Sequence, residues 1–148
     1  MNTTPVNEPA AQSVSNQNQG TAPALWNPIA AGSWSLVFTP IFGAILVLMN
    51  WQAMGEKEKI RGSQLWLIAS IIMLVIQFLV EPPLLFVYLV IWYFASAKSQ
   101  AKFVSEKWGK EYPRKSWLWP LVIAIVAVVI LFVFLFIIGF AQALLSQQ

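Results

Sequence analysis

The sequence predicts an all-α integral membrane protein. Four transmembrane helices are expected at about residues 33–51, 64–80, 83–97 and 117–140, with a disordered polar tail before them and a basic interfacial helix at about 98–112. Two observations carry this. Hydrophobic residues make up 58% of the 148-residue chain and charged residues only 10%, more apolar surface than one soluble core hides. All nine Lys and Arg fall in two stretches between apolar runs, Lys57, Lys59 and Arg61 in one, Lys98, Lys102, Lys107, Lys110, Arg114 and Lys115 in the other. Basic residues beside apolar spans stay on the cytoplasmic side, so their placement sets the number and direction of crossings.

The N-terminal part is rich in Asn, Gln, Thr, Ser, Pro and Ala. It buries too little apolar surface to offset ordering, which predicts a disordered tail over 1–30 and a four-helix membrane domain over 31–148. It has neither a basic start nor an early apolar run, so no cleavable signal peptide is expected. Trp26 is expected at headgroup level.

The first span lies between Trp34 and Trp51 and contains Pro40. Proline removes a backbone donor and clashes with the carbonyl four residues back, so a kink is expected just before it, with Ser35 or Thr39 bonding the freed backbone. The stretch 64–97 would be roughly 50 Å long as one helix, beyond a hydrocarbon core of about 30 Å. Pro82 and Pro83 break it, giving two arms, each short for the core unless it reaches into the loops. Two arms also put both basic loops on the cytoplasmic side, with Glu81 at the outer turn and both termini outside.

Beyond the third span, Ala97, Ala101, Val104 and Trp108 share one helical face, and Lys98, Lys102, Glu106 and Lys110 another. This predicts a helix on the inner leaflet, apolar side down, with a Glu106–Lys110 pair and an end at Pro113. The last span has about 20 continuous apolar residues, enough for one crossing. In lipid an isolated strand leaves its backbone unpaired, so its Val and Ile density still reads as helix.

The chain contains no Cys, His or Asp. That excludes disulfides, thiolate metal sites and His-based nucleophilic triads. No catalytic residue, cofactor or metal is expected, and the protein is expected not to be an enzyme. The net charge of +3 sits beside the spans, so the expected partners are the bilayer and anionic headgroups, contacted by Lys98, Lys102, Lys107, Lys110, Arg114 and Lys115, and not nucleic acid.

Polar residues inside spans are the remaining candidates. Ala31, Ser35, Thr39 and Gly43 recur every four residues, with Asn50 seven further on. Small residues at this spacing let helices approach closely. Ser35, Thr39, Pro40, Gly43 and Asn50 are therefore expected either to pack the bundle or to form a face for a partner or a second copy. Ser63, Ser70 and Gln77 form a polar line on the second span and are expected to face the first. The leading functional expectation is a scaffold, accessory subunit or regulator working through helix contacts. The alternative is a small transporter or channel with a polar path between the first two helices.

The segments W-S-L-V-F-T-P-I-F-G from Trp34 to Gly43 and N-W-Q-A-M-G from Asn50 to Gly55, together with Leu25-Trp26-Asn27-Pro28, Tyr112-Pro113-Arg114-Lys115-Ser116-Trp117 and Pro120-Leu121, resemble a group of small bacterial inner-membrane proteins. The resemblance covers the membrane part and not the tail. It implies a shared fold and a bacterial cytoplasmic membrane location, and no particular activity.

Overall fold

A computed structural model of the chain describes residues 21–80 and 83–145. The expected tail over 1–20 lies outside the described residues, as do Glu81 and Pro82 of the expected outer turn. Among the described residues the fold is all helical, apart from one isolated parallel bridge between Leu25 and Arg114.

Two short helices replace the expected first span: α1 (Pro28–Val37) and α2 (Pro40–Met54). Both start by the same device. Asn27 accepts from the amides of Ile29 and Ala30, and Pro28 follows it at the first helical position. Thr39 accepts from Phe42, and Pro40 follows. A polar cap satisfies orphan amides, and proline costs nothing where its missing N–H has no intrahelical role. Proline also pushes the residue before it out of the helical region, and Thr39 is extended at φ −168° and ψ 159°. The chain therefore breaks at Pro40, where a kink was expected, and α1 folds back along α2.

Gly55, at φ 72°, closes α2 in the left-handed conformation that glycine adopts without strain. α3 (Lys57–Leu79) absorbs the charged loop expected before residue 64. α4 (Leu84–Trp92), a π turn (Tyr93–Ala97) and α5 (Lys98–Trp108) follow one another directly. The two arms that looked short are thus extended into the loops, to roughly 34 Å for α3 and 37 Å for the 25 residues from Leu84 to Trp108. α6 (Leu118–Leu145) runs past the expected end near residue 140 and, at 28 residues, is longer than a single crossing needs.

The structure revises the basic helix in three ways. It stops at Trp108, because Gly109 takes a positive φ of 73°, and does not run on to Pro113. Lys110 therefore lies off the helix, and Glu106 pairs with Lys102 at 3.7 Å instead. Its apolar side packs inward: Ala97 and Val104 are buried, and Phe103 meets the Trp51 ring edge-on at 5.1 Å. A face covered by α1 and α2 is no longer available to lie on lipid.

The core gathers Ala44, Val47 and Trp51 from α2 with Tyr88, Leu89 and Trp92 from α4 and Ala97 from the π turn. α6 stands largely outside it, with only Pro120 and Ala124 buried. Among the described residues three helices are long and apolar enough to cross a membrane, at Lys57–Gln77, Leu84–Trp108 and Leu118–Leu145. The α2 helix is apolar but shorter.

Candidate functional site

A polar clasp closes the end of the fold where the basic residues gather. Asn50, in the last turns of α2, is fully buried. Its Oδ1 accepts from the Trp26 amide at 3.0 Å, and its Nδ2 donates to the Trp26 carbonyl at 2.8 Å. The same Nδ2 donates to Gln100 Oε1 at 3.0 Å. Gln100, also fully buried, donates from Nε2 to the Val47 carbonyl at 2.8 Å. One carboxamide pair thereby ties the chain entering α1, the end of α2 and the start of α5. Both members are neutral and hydrogen-bonded, so their burial carries no charge penalty.

The clasp extends outward through the segment before α1. The Leu25 amide donates to the Pro113 carbonyl and the Leu25 carbonyl accepts from the Lys115 amide, each at 2.9 Å. Leu25 is fully buried. Trp26 Nε1 donates to the Ser116 carbonyl at 3.0 Å, and Lys115 lies 4.2 Å above the Trp26 ring. Residues 25–30, expected in the disordered tail, are thus built into the fold. Beside them, burial raises the Tyr112 phenol above its ordinary pKa, opposed by the nearby Arg114 guanidinium, so it stays neutral at pH 7.

The small-residue stripe of the first span forms an internal seam. Ser35 Oγ donates to the Ala31 carbonyl at 2.9 Å. Gly43 sits against Ser35 Oγ, and a Cβ there would lie 2.6 Å from the Trp92 ring and 2.9 Å from the Ala31 carbonyl. Thr39 and Pro40 are consumed in capping and opening α2. Asn50 faces the clasp.

The polar line of α3 makes its hydrogen bonds to residues outside that stripe. Ser70 Oγ donates to the Trp66 carbonyl at 2.8 Å and meets Tyr88 Oη of α4 at 2.8 Å. Gln77 Oε1 accepts from the Leu85 amide at the start of α4, at 3.0 Å. Ser70 and Gln77 thus join α3 to α4 by hydrogen bonds, while α3 as a whole packs chiefly on α2. Ser63 is buried with a hydroxyl that has no hydrogen-bond partner among the described residues.

Of the six basic residues expected on anionic lipid, several are engaged within the fold. Lys107 reaches Glu56 at 2.7 Å, joining α5 to the α2–α3 corner. Lys98 lies 4.8 Å over Phe94, and Lys102 pairs with Glu106. The backbone of Arg114 and Lys115 holds Leu25. Lys110 is exposed beyond the helix end.

Sequence reasoning missed Gln100 and the second proline-capped start. Both left a signal. Gln100 falls three after Ala97 and four before Val104, a polar residue on the apolar face of α5. Asn27-Pro28 repeats the cap-then-proline order of Thr39-Pro40.

Carboxamides and backbone amides neither titrate near neutral pH nor act as nucleophiles, so the clasp offers hydrogen bonds and no general acid or base. Among the described residues no three His, Cys, Asp or Glu side chains group as metal ligands. The class the geometry defines is an all-helical protein with three helices fit by length and composition to span a bilayer, and a folded-back apolar hairpin held at its open end by the clasp. No protein-family model, curated protein or solved structure matches this chain.

Proposed function

We propose that this is a multi-pass protein of the bacterial cytoplasmic membrane that acts through helix contacts, as a scaffold, accessory subunit or regulator of a larger assembly or of its own oligomer. One observation carries the reading. Asn50, Ser70 and Gln77, the side chains available for a polar path, are bonded inside the chain, across α1–α2–α5 and α3–α4. A conducting path needs such groups turned toward water, so a transporter is disfavoured. An enzymatic role is disfavoured because the chain lacks His, Cys and Asp. What remains for partners is apolar surface, above all on α6.

The proposed topology has three crossings and one dip. α1 is ten residues, roughly 15 Å, about half a hydrocarbon core of ~30 Å. The tip of the hairpin carries exposed Leu36 and Val37, which suits lipid and not water. The chain entering α1 touches the basic connector at Pro113 and Lys115. By the positive-inside rule that end is cytoplasmic. The N-terminal segment is then inside and the C-terminus outside, in place of two outer termini.

The chain has no native cysteine, so single replacements report cleanly. In intact cells an impermeant maleimide is expected to label Ser146→Cys and to miss Ser15→Cys and Lys59→Cys. Labelling of Ser15→Cys together with Ser146→Cys would restore four crossings. A photo-crosslinker in place of Leu135 on α6 is expected to capture a protein partner or a second copy in native membranes. Ion or solute flux in liposomes that is lost on changing Gln77 would overturn the contact-based reading.

A further inference from the structure

A groove of about 290 Å³ opens beside the basic end, between the first turns of α3 and the π turn, walled by Glu58, Lys59, Ser63, Trp66, Ser96 and Ser99. Its existence follows from local backbone. A π turn widens the helix by an extra residue and often marks a functional position. Here it presents small side chains, Ala95 and Ser96, toward α3. Gly62 lines the opposite wall, with nothing within 4 Å of where a Cβ would stand.

Three features of the lining are unmatched among the described residues. Ser63 is 3% exposed, and its hydroxyl has no hydrogen-bond partner among the described residues. A buried hydroxyl without a bond is unfavourable, and a polar ligand atom in the groove would complete it. Glu58 and Lys59 both reach the groove, and neither forms an ion pair among the described residues. Opposite charges side by side fit a ligand that carries both signs. The part-exposed Trp66 ring adds an aromatic surface that favours an ammonium. Leu65, seven residues after Glu58 and so on its side of α3, is exposed and offers apolar surface to acyl chains.

We propose that this groove holds the headgroup of an amine-bearing zwitterionic phospholipid, with Glu58 accepting from the ammonium and Lys59 and Ser63 donating to the phosphate. The inference does not depend on what the protein contacts through α6.

The full chain in nanodiscs of equal phosphatidylethanolamine and phosphatidylglycerol, read by native mass spectrometry of retained lipid, tests it. Retained phosphatidylethanolamine is expected to exceed phosphatidylglycerol about tenfold, the scale of one charge-assisted bond. Glu58→Gln, at an exposed position that leaves folding intact, should bring the ratio near one. Ser63→Ala should lower retention severalfold, and Glu106→Gln, outside the groove, should change nothing. Water-soluble phosphoethanolamine should compete at least about a hundredfold more weakly than the diacyl lipid, since it lacks the chains. Equal retention of the two lipids by the unaltered chain, a ratio indifferent to Glu58→Gln, or equal competition by the soluble headgroup would each overturn the proposal.

Discussion

Asn50 holds both backbone polar groups of Trp26, accepting from its amide at 3.0 Å and donating to its carbonyl at 2.8 Å. Side chains seldom grip a distant peptide unit from both sides, and here the two residues lie 24 positions apart. The pairing fixes where α1 begins relative to where α2 ends. Asn50→Leu would leave the Trp26 amide, the Trp26 carbonyl and Gln100 Oε1 without their partner. The expected loss is about 2–4 kcal/mol of stability, with hydrogen-exchange protection of the Trp26 amide collapsing first. Asn50→Asp keeps the acceptor but turns both donations into oxygen–oxygen contacts with a buried charge. It should be at least as damaging, measured by unfolding in mixed micelles.

Gly43 decides between a seam and a partner face. A Cβ there would meet Ser35 Oγ, the Ala31 backbone and the Trp92 ring at once. Backbone cannot give way as a flexible side chain can. Gly43→Ala should therefore cost about 1–3 kcal/mol, and Gly43→Leu should prevent α1 from closing on α2. The readout is the fraction of protein that survives heating in detergent, with accessibility of a Ser35→Cys probe reporting the seam. Unchanged stability with a lost oligomer would return this stripe to the role of an external face.

How much of this was legible beforehand differs by element. Composition and hydrophobic runs gave α3, the α4–α5 rod and α6 as helices, because an apolar run of sufficient length has one solution in lipid. The same reasoning treated residues 33–51 as one span. An apolar run specifies burial and not direction, and the reversal resides in two residues, Thr39 and Pro40. Pro40 reads equally as a kink or as the first residue of a new helix. What separates the two readings is the capping hydroxyl before it and the close approach at Gly43, a tertiary fact. Asn50 was singled out by its polarity within an apolar run. Its partners were hidden because one is backbone, which carries no sequence signal, and the other, Gln100, lies 50 residues away.

The Glu56–Lys107 pair, at 2.7 Å, is the shortest of the two ion pairs among the described residues, yet it should matter little. Both side chains are partly exposed, 43% for Lys107 and 31% for Glu56. Water and salt screen such a pair. Glu56→Gln is expected to change stability by less than ~1 kcal/mol, and the change should shrink further in high salt. A loss as large as that of Asn50→Leu would mean that the corner between α2 and α3, and not the amide clasp, fastens this end of the fold.

Tyr88 and Ser70 present a counting problem with a measurable answer. Three close contacts link Ser70 Oγ, Tyr88 Oη and the Trp66 carbonyl, at 2.8, 2.8 and 3.0 Å. The two hydroxyls supply only two hydrogens. One arrangement has Ser70 donating to the carbonyl and Tyr88 to Ser70; the other reverses the roles. Either way two bonds exist, and removing one hydroxyl leaves the other free to donate to Trp66. Tyr88→Phe and Ser70→Ala should then each cost about 1 kcal/mol, and the double variant the sum of the two. If all three contacts were independent bonds, each single change would remove two and the double change three, leaving a coupling of about 1 kcal/mol. A double-mutant cycle in mixed micelles distinguishes these outcomes, and hydrogen counting predicts a coupling below ~0.5 kcal/mol.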